Sequence, residues 1–73
     1  MARRSLSNVR QGEAGRAFIK AGGIDKGSPS GHWIIKMPNG NRLSLPSGVL
    51  KLGLLRAQIK AAGLTEDEFL ELL

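Results

Sequence analysis

Residues 32–46 read HWIIKMPNGNRLSLP, and this stretch decides the fold. His32 opens an apolar-rich run that Pro38 closes, Asn39-Gly40 turns the chain, and Asn41 to Leu45 runs back to Pro46. A type I′ turn needs positive φ at both central residues, and Asn-Gly tolerates that best, so the spacing predicts a β-hairpin with this turn. Strand side chains alternate between two faces. Trp33, Ile35, Met37, Leu43 and Leu45 then share one face and are expected to point toward the core. The opposite face carries His32, Ile34, Lys36, Arg42 and Ser44: the only histidine of the chain, two cations and a hydroxyl, with no carboxylate among them.

On the C-terminal side of the hairpin, Pro46-Ser47-Gly48 breaks the chain. Leu52, Leu55, Ile59 and Ala62 then recur at helical spacing, stopped by Gly63. Leu64-Thr65-Glu66-Asp67-Glu68-Phe69 is a complete helix start, with Thr65 as N-cap, Glu68 closing a capping box and acids in the first turn, where the helix dipole favours them. On the N-terminal side, Gly27 to Gly31 is a loop by composition and Ile24 to Lys26 reads as a short edge strand. Ala14, Ala17, Phe18 and Ala21 mark an earlier helix that begins near Val9 and ends at Gly22-Gly23. Gly12 and Gly15 inside it are expected to serve close packing, since each costs about 1 kcal/mol relative to alanine. Residues 1–8, basic and serine-rich, are expected to be a flexible tail, and residues 9–73 one domain. The class predicted is α+β: an α-β-β-β-α layer, its helices on one face of a short antiparallel sheet, with an extra short C-terminal helix.

Seventy-three residues make one small domain, which buries only about 60% of its unfolded surface. Cysteine is absent, so disulfides and thiolate metal sites are excluded. No apolar run approaches the roughly 18 residues of a membrane span, and the cytoplasm is the expected compartment. The net charge of +5 divides unevenly: all eleven Lys and Arg residues precede Ala61, against only Glu13 and Asp25 there, while Glu66, Asp67, Glu68 and Glu71 follow it. A basic body with an acidic end suits a polyanionic partner, of which nucleic acid is the commonest. The acids themselves are accounted for by helix-start chemistry.

The order of elements resembles the double-stranded-RNA-binding fold, and the residues resemble one family more closely. Lys26-Gly27-Ser28 followed by His32, Met37-Pro38-Asn39-Gly40, Leu43-Ser44-Leu45-Pro46, Gly53-Leu54-Leu55-Arg56 and Ile59-Lys60-Ala61-Ala62-Gly63-Leu64-Thr65 are similar to the HicA toxin family over roughly residues 9–73. That resemblance implies the toxin of a type II toxin–antitoxin pair, a metal-independent endoribonuclease acting on messenger RNA and neutralised by a HicB-like antitoxin. It places the catalytic histidine at His32. The family carries Gly-Ser-His in succession, whereas here Pro29-Ser30-Gly31 stands between Gly27-Ser28 and the histidine, and Leu54 replaces a frequent threonine.

RNA supplies its own nucleophile, the ribose 2′-hydroxyl. Cleavage then needs a proton acceptor, stabilisation of the phosphorane and a proton donor for the leaving oxygen. Histidine is the residue type that can take or give a proton near neutral pH, and His32 is the only one, so a two-histidine mechanism is excluded by count. Lys36 and Arg42 are the expected partners of the phosphoryl oxygens, with Lys26, Ser28 and Ser30 as further RNA or phosphate contacts. No cofactor and no metal are expected, since one histidine without clustered acids is not a ligand set. The alternative is a non-catalytic RNA-binding module of the same fold with a degenerate site.

Overall fold

In the computed structural model, which describes residues 5–73, the hairpin forms across Pro38-Asn39-Gly40. The basic pair Arg3-Arg4 lies outside the described residues. In chain order the elements are α1 (Gln11–Lys20), β1 (Ile24–Asp25), β2 (Trp33–Lys36), β3 (Arg42–Leu45), α2 (Leu52–Ala61) and α3 (Glu66–Leu72). The strands form one antiparallel sheet in the order β1-β2-β3. Three helices pack against it, which is the α+β layer that the hydrophobic pattern predicts.

The register fixes what each face carries. Trp33 pairs with Leu45, Ile34 with Ser44, Ile35 with Leu43 and Lys36 with Arg42. Ile35, Met37, Leu43 and Leu45 are buried on the helix side together with Ala14, Ala17, Phe18, Leu55, Ile59 and Phe69. Trp33 is partly buried against this core, and the Phe18 and Phe69 rings meet with centroids 5.0 Å apart, joining α1 to α3. Lys36, Arg42 and Ser44 are exposed on the other side, as alternation requires.

The turn differs from the type I′ geometry that Asn-Gly predicts. Positive φ falls on Gly40 alone, and the Gly40 N–H donates to the Met37 carbonyl at 2.9 Å. Pro38 fixes its own φ near −65°, which suits the second residue of a type I turn and leaves Gly40 to take the left-handed bulge position of a three-residue loop. The side chains of Asn39 and Asn41 both donate to the carbonyl of Ala61, at 2.9 and 2.8 Å. The turn therefore satisfies a C-terminal carbonyl of α2, one of those a helix cannot satisfy itself.

Helix ends follow their local chemistry. Thr65 Oγ1 accepts from the Glu68 N–H and Glu68 Oε1 from the Thr65 N–H, so the capping box at α3 is complete. At α2 the apolar stripe is narrower than its spacing suggests. Leu55, Ile59 and Ala62 are buried, but Leu52 is 41% exposed, and Leu50, just ahead of the helix, takes the buried position instead. Val9 and Leu50 are joined by a backbone hydrogen bond of 2.8 Å, Gln11 and Gly48 by one of 3.0 Å, and Arg10 pairs with Val49. The chain entering α1 is thus zipped to the chain leaving β3. Leu6 belongs to the buried core as well, so packing begins ahead of residue 9.

Candidate nucleic-acid interface

The face of the sheet away from the helices is built by register. Ile24 stands opposite Lys36 on one side and Arg42 stands opposite Lys36 on the other, so all three share that face. Ile34 and Ser44 form the next row, and Lys26, whose N–H donates to the Ile34 carbonyl at 2.8 Å, continues β1 beside them. Ile24 is 58% exposed. Lys36 and Arg42 are like charges directly across from one another, an arrangement that costs stability unless an anion lies between them. No ion pair joins either of them to a described carboxylate, whereas Arg56 on α2 pairs with Glu66 at 3.2 Å.

His32 lies one residue ahead of β2 and is exposed. Its Nδ1 is 3.5 Å from the Ser30 carbonyl oxygen. It stands four residues from Lys36, which along a strand is about 13 Å between Cα atoms. His32 and the Lys36–Arg42 pair thus stand at opposite ends of β2 and do not form one cluster. Ser28 and Ser30 occupy the exposed loop between β1 and β2, where the Gly31 N–H donates to the Ser28 carbonyl at 3.3 Å. Ser30 faces the imidazole through its carbonyl, not its hydroxyl.

Two residues that the sequence did not single out hold this loop. At its start, Asp25 Oδ1 accepts from the Gly27 N–H at 2.8 Å and from Trp33 Nε1–H at 2.9 Å. These bonds, the backbone one foremost, hold the Asp25 carboxyl below its ordinary range. An aspartate two residues before a glycine is a recognisable Asx-turn signal, so this half was open to sequence reasoning. At its end, Gln11 Nε2 donates to the Gly31 carbonyl at 2.6 Å and to the Leu45 carbonyl at 2.8 Å. Those partners lie 20 and 34 residues along the chain, and no local pattern announces them.

Among the described residues no group of three or more His, Asp or Glu could hold a metal ion. Among them, too, no helix is long and apolar enough to cross a membrane. A shallow pocket lies elsewhere, lined by Glu13, Arg16, Lys20, Leu72 and Leu73 between α1 and the C-terminus, where Lys20 Nζ donates to the Leu72 carbonyl at 3.3 Å. Compared with known proteins, the chain matches no protein-family model and no curated sequence.

Proposed function

We propose that this protein binds RNA across the open face of its sheet and cleaves it with His32, as the toxin of a toxin–antitoxin pair similar to HicA. One observation carries this: an exposed imidazole stands one residue ahead of β2, on the same hairpin whose exposed side holds a like-charged cross-strand pair, Lys36 and Arg42. When Nδ1 carries its proton toward the Ser30 carbonyl, Nε2 holds the lone pair and faces solvent, ready to take the proton of a 2′-hydroxyl. The 2′-oxygen attacks the adjacent phosphorus, the bond to the 5′-oxygen breaks, and the leaving oxygen takes a proton from the imidazolium or from water. At about 13 Å, Lys36 and Arg42 serve neighbouring phosphates and hold the strand. A HicB-like protein would act by covering this face.

The spacing of the loop favours a second reading. Pro29-Ser30-Gly31 separates Gly27-Ser28 from the histidine, and no Ser hydroxyl reaches the ring, which suits a module that binds RNA without cutting it. Incubating the purified protein with a long messenger RNA in EDTA separates the two. The first reading expects cleavage that falls about 10²- to 10⁴-fold in His32→Ala while RNA affinity stays near that of the parent. Equal cleavage by parent and variant removes His32 from the chemistry, and binding without any cleavage establishes the second reading.

A further inference from the structure

We infer that Gln11 is the positioning residue for His32, a role that rests on the cleavage reading above. The carboxamide of Gln11 has two N–H protons, and both are used: one on the Gly31 carbonyl, at the residue immediately before His32, the other on the Leu45 carbonyl, opposite Trp33 at the end of the hairpin. Its own backbone N–H is committed to Gly48 at 3.0 Å. Gln11 therefore ties together the first turn of α1, the end of β3 and the last residue of the loop.

The consequence for His32 follows from the chain. Gly31 has φ of +79°, and Gly27, at the other end of the loop, +91°; glycine allows either to swing unless something holds its carbonyl. At Gly27 the hold is Asp25 together with the Gly27 carbonyl's bond to the Ile34 N–H, at 2.9 Å. At Gly31 it is Gln11. Without it Gly31 keeps only the 3.3 Å bond from its N–H to the Ser28 carbonyl, and the imidazole, anchored on its other side through Trp33 of β2, keeps a 3.5 Å contact to the Ser30 carbonyl. Residues 27–31 are thus a loop pinned at both ends, with His32 following its second fixed end. Displacing a reacting group by about 1 Å can cost as much as 10²-fold in rate.

The test uses Gln11→Met, which keeps length and removes both donors, and Gln11→Glu, whose carboxylate repels both carbonyls yet suits the first turn of a helix. Amide ¹⁵N relaxation of Gly31 and His32 is measured beside cleavage of one RNA under saturating and limiting substrate. The role predicts increased backbone motion confined to residues 28–32 and a kcat lowered about 10- to 100-fold with KM within twofold of the parent. Unchanged order at Gly31 and His32, or parental kcat in an otherwise active protein, overturns the role of Gln11 alone. A loss carried by KM overturns it too, since Gln11 would then be holding the RNA surface and not the imidazole. Should Gln11→Met lose its dispersed amide spectrum, Gln11→Glu decides by the same readouts. A parent chain that leaves RNA intact overturns the cleavage reading and this role together.

Discussion

The six-membered ring of Trp33 lies directly on Gly15 of α1, so closely that a Cβ at Gly15 would occupy the same space as the ring. Helix α1 can approach β2 here only because residue 15 has no side chain. Trp33 Nε1 meanwhile reaches Asp25 at the sheet edge, so one ring links α1 to both strands of the β1–β2 pair.

Gly15→Ala therefore destabilises the protein by about 1–3 kcal/mol, because forced repacking outweighs the helix propensity gained. Gly12→Ala acts in the opposite direction. Its nearest neighbour is the far end of the long Arg16 side chain at 3.3 Å, which can swing aside, and the substitution raises stability by roughly 0.5–1 kcal/mol. Urea denaturation of both variants measures the contrast; the same sign for both would remove the contact as its cause.

The two asparagines on the Ala61 carbonyl are unequal. Asn39 also accepts the Asn41 N–H at 3.0 Å and lies 3.2 Å from a Cβ built at Gly63, so it fixes the turn as well as docking it. Asn39→Ala is expected to lower stability by about 1–2 kcal/mol and Asn41→Ala by about 0.5–1 kcal/mol, in keeping with hydrogen bonds whose carbonyl stays open to water. Thermal unfolding ranks them, and the reverse order would show that the turn does not depend on Asn39.

Asp25 makes the loop sensitive to acid. Its folded pKa lies below the ordinary value, so its contribution is fully present above about 3.9 and disappears as pH falls through the lowered folded value. Trp33 fluorescence is expected to be flat from neutrality to about pH 4 and to shift below it as the Nε1–H loses its charged acceptor. In Asp25→Asn that step disappears. Its persistence would assign it to another carboxylate.

Lys36 opposite Arg42 sets stability against binding. Replacing Lys36 with Thr removes like-charge repulsion and supplies a better strand former, raising stability by a few tenths of a kcal/mol. RNA affinity falls in the same variant, and the slope of log K against log salt becomes shallower by about 0.7 if a single-strand phosphate contact is lost. Filter binding at several salt concentrations reads both, and an unaltered slope would take Lys36 off the RNA surface.

Much of the fold is written in local relations. The alternation of Trp33, Ile35 and Met37 with Ile34 and Lys36 assigns the two sheet faces, because side-chain direction in a strand depends only on parity. Thr65 and Glu68 define the start of α3 because a capping box needs residues three apart and nothing else. The expected role of Gly15 was open to the same reasoning, as a glycine paying a helix penalty implies a neighbour.

Where local preference competes with a distant contact, the sequence is insufficient. Asn39-Gly40 alone points to a type I′ turn, yet Pro38 and the reach of both asparagines to Ala61 select a different one. Leu52 has the spacing of a core residue, but pairing of residues 9–11 with 48–50 sends Leu50 inward in its place. Lys36 and Arg42 could be assigned to one face from parity, while their position directly across from one another required the register. Sequence by itself thus determined the elements, their faces and the candidate imidazole, since these depend on neighbours within four residues. Only the tertiary structure decided which turn forms, which leucine is buried and what holds the residue before His32, because each depends on a carbonyl or strand partner 20 or more residues away.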